Sequence, residues 1–230
     1  ASSKNRKTVS YETVEVFGPN SEFMMMAWRF GGDATSDPIM LDLIAGIMSN
    51  GQAGLIDLDL LQDQKVLDAG ASADAQADYS EFSLSGEARE GQTLEQVRDL
   101  LLAEMEKVKQ GAFDDWLIDA VVNDNRQTRL KFYNENNSMR ASAMTNAFIL
   151  KQNWQDQVDY YDRMAKITKQ QVMDFASKRF GSDYVCVFKR TGENKDAFKV
   201  NKPKITAIDI KREGMSDWRK NWEKTPSATL

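Results

Sequence analysis

The chain has 230 residues, 41% hydrophobic and 28% charged, with a formal net charge of -5, one cysteine and no histidine. The acidic balance speaks against nucleic-acid binding, which needs a basic face, and no apolar run approaches the roughly 18 residues of a membrane span. Without imidazole the chain lacks the usual general base and cannot build an ordinary catalytic zinc site, and one thiol neither replaces it nor forms an internal disulfide.

Residues 1–7 are small, polar and basic with no apolar centre, so no signal peptide is expected there. Residues 10–17 and 22–30 read as strands separated by Gly18-Pro19-Asn20-Ser21, a turn signal that predicts a hairpin. Met24, Met25 and Met26 alternate faces in such a strand, so core packing explains them better than a soft metal site. Trp28 beside Arg29 could line a binding surface, but a capped core edge is the better reading. Asp37-Pro38 predicts a helix start, Ile39, Met40, Leu43, Ile44, Ile47 and Met48 follow at helical spacing, and Asn50-Gly51 closes it.

A short helix is expected over residues 54–62, with Leu55, Leu58 and Leu61 on one side. Ala69, Ala71, Ala73 and Ala75 then alternate with Gly70, Ser72, Asp74 and Gln76. Alanine is a poor strand former, but the alternating partner at residues 80–86, across Ala77-Asp78, makes this a hairpin. Small inward residues imply a helix packed closely on that part of the sheet.

Thr93 and Gln96 predict a capping box before Leu94, Val97, Leu101, Met105 and Val108, with Gly111 as the stop. Asp114 is expected to cap a helix running to about Tyr133. Further helices are expected at residues 138–150, around Val158, Tyr161 and Met164, and from Thr168 with Gln171 through Val172, Phe175 and Phe180. A strand at residues 184–190 completes an α+β domain, a mainly antiparallel sheet covered on one face by helices. Cys186 in that strand reads as a small buried apolar side chain. From Thr191 onward Gly192, Lys195, Lys199, Lys202, Pro203 and Lys204 give a polar, basic stretch, so residues 1–190 are expected to form the domain and 191–230 a linker or tail. Trp218 and Trp222 share one side if that stretch is helical.

The acidic residues are the remaining catalytic candidates. Asp57, Asp59 and Asp63 begin like a calcium loop, but Gln62 stands where glycine is needed and Asp68 where glutamate is usual, so a solvated helix face is the better reading. Asp114-Asp115 suits a helix N-terminus. Asp74, Asp78 and Glu81 flank a turn without forming an acid/base pair. No catalytic or metal-ligating residue is therefore expected in this chain.

Residues 37–50, Gly54-Leu55-Ile56 with Leu60-Leu61-Gln62-Asp63, the Ala-rich strand, Ser80-Glu81-Phe82-Ser83-Leu84 with Gly86, residues 91–97, the helix end at 107–111 and residues 167–172 together resemble the non-catalytic domain of the pitrilysin/insulinase-like zinc metallopeptidases. The resemblance covers roughly residues 14–190 and lies in the order of many weak motifs. In that family only the first of four related domains carries the inverted zinc motif H-x-x-E-H, which this chain lacks. The resemblance implies a chamber-forming, substrate-accommodating domain of a zinc endopeptidase, without activity alone, with zinc held elsewhere. Its implied partners are the other domains of that peptidase and a peptide or unfolded protein. A related second-half motif, L-R-E-x-x-G-L-A-Y, is matched here by residues 61–69, where arginine has become Gln62 and tyrosine Ala69. That departure, with a tail similar to the connection between halves, places the chain as the second domain of the first half. A bacterial periplasm or envelope location is implied by the resemblance alone. Trp218 and Trp222 either pack on their own domain or dock on the missing half. The alternative function is a stand-alone structural or adaptor domain of the same fold that mediates protein association.

Overall fold

In the computed structural model, residues 11–194, 201, 203–206 and 214–226 are described. The readings placed on residues 1–7, Ser10, Lys195, Lys199 and Lys202 lie outside them. The chain divides into two units, Ala1–Asn194 and Lys195–Leu230, each treated by itself.

In the first unit, strands β1 (Glu12–Gly18), β2 (Phe23–Gly31), β3 (Asp68–Ala75), β4 (Tyr79–Glu87) and β5 (Val185–Thr191) form one sheet in the order β1-β5-β2-β4-β3. The expected hairpin between the first two strands does not form. β5 lies between them, parallel to β1 and antiparallel to β2. The turn at residues 18–21 reverses the chain but leaves a gap one strand wide, and the apolar β5 fills it. The Lys189 ammonium closes that end by donating to the carbonyls of Gly18, Asn20 and Ser21. The second hairpin forms as expected, with Asp68 opposite Glu87 and Ala75 opposite Ser80.

The helices are α1 (Asp37–Met48), α2 (Leu94–Gln110), α3 (Trp116–Glu135), α4 (Asn137–Ile149), α5 (Trp154–Val158), α6 (Tyr160–Met164) and α7 (Lys169–Arg179). α1 packs on the small residues of β3, as the alanine alternation required, and α2 lies on β4 and β2. Gly86 permits that approach, since a Cβ there would stand 2.6 Å from Val97 Cγ1. Capping boxes open α2 at Thr93/Gln96 and α7 at Thr168/Gln171. α2 ends on Gly111, whose φ of 67° is left-handed and suits a residue without Cβ. Met24, Met26, Trp28 and Phe30 of β2, Phe82 and Leu84 of β4, and Cys186 and Phe188 of β5 face the helices and are buried. Trp28 therefore belongs to the core, its ring packed on Phe180 and Tyr184 and its indole N–H bonded to the Gly181 carbonyl at 2.9 Å.

Four local expectations are corrected. Residues Asp57–Gln62 form a π-helical turn. Wider turns bring residues four or five apart onto one side, so Leu55, Ile56 and Leu60 are buried while Leu58 is exposed. Asp57 is buried rather than solvated: its Oδ2 accepts the backbone N–H groups of Asn50, Gly51 and Gly54 at 2.8, 2.8 and 3.1 Å. The helix expected around Val158 is split at Asp159 into α5 and α6, and Val158 is exposed. The Asp114 carboxylate accepts the Trp116 indole N–H at 3.0 Å instead of capping α3, which starts after Asp115. Asp37, buried beneath the start of α1, accepts the Gly31 N–H and a two-pronged contact from Arg179, and so ties β2, α1 and α7 together.

In the second unit, Asp217–Glu223 forms a short helix, α8, capped by the Ser216 side chain. Trp218 and Trp222 stack on one side of it, with ring centroids 6.4 Å apart and planes at 9°. Spacing of four residues in a helix sets that geometry.

Candidate functional site

All helices that pack on the sheet lie on one face. The side chains that point the other way form the largest feature the core does not explain. Strand alternation creates it: residues two apart share a face. On β2 those are Phe23, Met25, Ala27 and Arg29, while the residues between them are buried. The register lines up Val14, Val187, Met25, Ser85 and Gly70 as one row across five strands, and Val185, Ala27, Ser83 and Ser72 as part of the next. The face is consequently divided. Its β1-β5-β2 part is mainly apolar, with Val16, Phe23, Met25 and Val185 each about 40% exposed, and Glu12 and Lys189 stand in its two outer rows. Its β4-β3 part is polar: Arg29 lies opposite Glu81 and over the Tyr79 ring at 4.8 Å, and the Ser72 and Ser83 hydroxyls meet at 2.9 Å.

The polar part ends at β3, a sheet edge. Among the described residues, Asp68–Ala75 exchanges backbone hydrogen bonds with β4 alone. One row of backbone N–H and C=O groups therefore faces outward from a strand whose side chains, apart from Asp68 and Asp74, are alanine, glycine and serine. Such an edge lacks the bulk, proline or lysine that usually blocks strand addition.

The chemistry-bearing candidates do not converge on this face. Asp57 is occupied by three backbone amides. Asp59 pairs with Lys107 at 2.8 Å and Asp63 with Lys65 at 3.0 Å. Cys186 is buried in the core, and burial pushes its thiol up to about 11, which keeps it protonated and unreactive near neutrality. Among the described residues no three carboxylates or thiols converge on one point. With histidine missing from the sequence, the donor set does not fit a zinc ion. Of the two substituted motif positions, Gln62 ends the π-helical turn on the surface and Ala69 is buried at the start of β3. Trp218 and Trp222 lie in the other unit. Sequence reasoning missed the divided sheet face; its signal was the second set of alternating residues, Val14, Val16, Phe23, Met25, Val185 and Val187, which the core leaves unused.

The family model described as "Peptidase M16 inactive domain" matches residues 3–125, more than half of the chain. Among solved structures, a protease from Helicobacter pylori aligns with a TM-score of 0.74 at 16% identity, over 81% of this chain and 46% of that one. A peptidase M16 inactive domain from Pseudomonas fluorescens aligns with a TM-score of 0.66 at 11% identity, over 82% and 45%. The periplasmic protease PqqL from Escherichia coli gives 0.59 at 13% identity, over 78% and 22%. At these identities the likeness shows a shared fold, and the chain spans about half of the first two structures and less of the third. Comparison with curated proteins gives no match.

Proposed function

Because the chain belongs to the peptidase M16 inactive-domain family, we propose that it is a chamber-forming, substrate-accommodating domain of a zinc-dependent endopeptidase whose metal and general base lie on another domain. The observation that carries this reading is the divided sheet face. A bare, mainly apolar half-sheet calls for a covering body, and magnitude favours one that is tethered. Covering four side chains that are already more than half buried gains roughly 2–5 kcal/mol. Bringing two free bodies together costs about 4–15 kcal/mol. A companion domain on the same polypeptide removes most of that cost by raising the effective concentration.

In this arrangement the β1-β5-β2 part docks on the companion domain, and the polar β4-β3 part with its unpaired edge faces an extended peptide. Main-chain hydrogen bonding at a strand edge holds peptides of many sequences, as a degrading enzyme requires. Trp218 and Trp222 are proposed as docking anchors toward the remaining half, since stacked aromatics suit desolvated interface pockets. A periplasmic or envelope location is part of the same proposal.

The test uses Met25→Cys, on the apolar part, labelled by a thiol reagent in this chain and in the full-length protein. Labelling should be at least about tenfold slower in the full-length protein, where the face is covered. Equal rates would refute the proposal. This chain alone, with zinc added, should leave peptides uncut; hydrolysis that scales with zinc would place the chemistry here after all.

A further inference from the structure

On the helical side, well away from the sheet face, α3 and α4 outgrow the core. α3 buries Leu117, Ile118, Val121 and Val122, all in its first two turns, and α4 buries only Ala147. Beyond them Leu130, Met144, Phe148 and Ile149 are exposed, as are Trp154 and Val158 of α5. Helices stay folded mainly through burial of an apolar face, and among the described residues nothing buries these side chains.

Between α3, α5 and α6 the surface dips into a cleft of about 410 Å³, walled by Leu130, Tyr133, Trp154, Val158 and Tyr161. Arg129 lines it as well, with Arg126 and Asp162. The Arg129 guanidinium lies 5.0 Å from the Tyr133 ring centroid and 5.5 Å from that of Tyr161, and Nη2 donates to Gln157 Oε1 at 3.1 Å. Among the described residues no carboxylate forms an ion pair with it, whereas its neighbour Arg126 is paired with Asp162. Two tyrosines and one amide thus hold a planar cation in place without a carboxylate partner among the described residues. Asp162, the acid in the cleft lining, is taken up by Arg126, and Asp156 and Asp159 lie on the α5–α6 side, whereas the α3–α4 side is basic. Residues 126–151 carry Arg126, Arg129, Lys131, Arg140 and Lys151 against the single acid Glu135, in a chain whose net charge is -5.

We propose that this cleft docks a polypeptide segment in which a bulky apolar side chain is followed by an acidic one. The apolar group enters between Leu130, Trp154 and Val158, and the carboxylate meets Arg129. Arginine is suited to this because its planar fork binds carboxylate through two parallel hydrogen bonds and is more weakly hydrated than an ammonium. A concave cleft selects an inserted side chain over a flat lipid surface. The site does not depend on the sheet face or on proteolysis, so it stands or falls separately.

The experiment measures binding of fluorescent peptides to the full chain by anisotropy. The probe is a Gly/Ser peptide with one Phe-Glu pair and an amidated C-terminus. Saturable binding is expected, at least about tenfold weaker for the Phe-Gln and Ala-Glu versions. Arg129→Gln should erase the preference for Glu over Gln, and Arg126→Gln should keep it. Because Arg129 also packs on two rings, the exposed Val158→Asp is measured beside it, with circular dichroism as the check on folding, and should lose binding of both peptides. Equal binding of Phe-Glu and Phe-Gln, wild-type binding by Val158→Asp, tighter binding of a peptide ending in a free Phe carboxylate, or binding to phosphatidylglycerol vesicles without peptide binding would each overturn the proposal.

Discussion

Replacing Asp57 by alanine is expected to destabilise the first unit by about 3–5 kcal/mol. One carboxylate oxygen accepts three backbone N–H groups, from Asn50, Gly51 and Gly54, and the bond to Gly54 is fully buried. A buried donor left without a partner costs about 1–3 kcal/mol, and hydrogen bonds to a charged group contribute roughly 1.5–3 kcal/mol each. Water can reach the Asn50 and Gly51 amides once the side chain is gone, so the three bonds are not lost at full value. The connection from α1 to the π-helical turn loses its centre, and a domain of this size should melt roughly 8–15 °C lower. Urea unfolding followed by circular dichroism measures the change. Asp57→Asn should recover half or more of the loss, because its amide oxygen can occupy the same position among the three donors. A loss below about 1 kcal/mol for the alanine variant at an unchanged denaturant slope would mean that these amides find other partners, and that Asp57 does not organise the loop.

Other consequences follow from the packing and the titrating groups. Gly86→Ala places a methyl 2.6 Å from Val97 and should cost about 1–3 kcal/mol, read as a lower urea midpoint. Burial raises the Asp42 carboxyl above its ordinary range despite the hydrogen bond from Tyr160. The folded state therefore binds that proton more tightly than the unfolded chain does, so its contribution is unfavourable at neutral pH and is relieved as pH falls through the raised value. Asp42→Asn should then be no less stable than the wild type at neutral pH and should show a flatter stability profile on the acid side, measured by urea midpoints across pH; a profile unchanged by the substitution would contradict this. Cys186 should resist a thiol reagent at mildly alkaline pH in the native protein and react at once in urea, since its thiol is buried and held up to about 11.

How far the sequence was legible follows from the range of each interaction. The two capping boxes could be read outright, because a threonine and a glutamine three residues apart satisfy each other's backbone amides without outside help. The β3–β4 hairpin and the placing of Trp218 and Trp222 on one side of a helix were legible for the same reason, the partners being close in the chain. The inward half of each strand was legible too, since Met24, Met26, Trp28 and Phe30 alternate with side chains that leave the core. Asp57 was misread because its role depends on where residues 50–54 fold back, and a π-helical turn has no sequence signature comparable to a cap.

By itself the sequence determined the α+β class, most helix starts and stops, the buried thiol, and the want of any imidazole to hold a catalytic metal. Only the tertiary structure decided that β5 separates β1 from β2, that Arg179 closes on Asp37 across 142 positions of chain, and that among the described residues the sheet keeps a bare, mainly apolar half and an unpaired edge. Local hydrogen bonds and alternation are fixed within a few residues. Which strand lies beside which, and so which face stays uncovered, is settled by the burial of the whole chain, because an apolar strand such as β5 lowers its free energy most where it gains two neighbours at once.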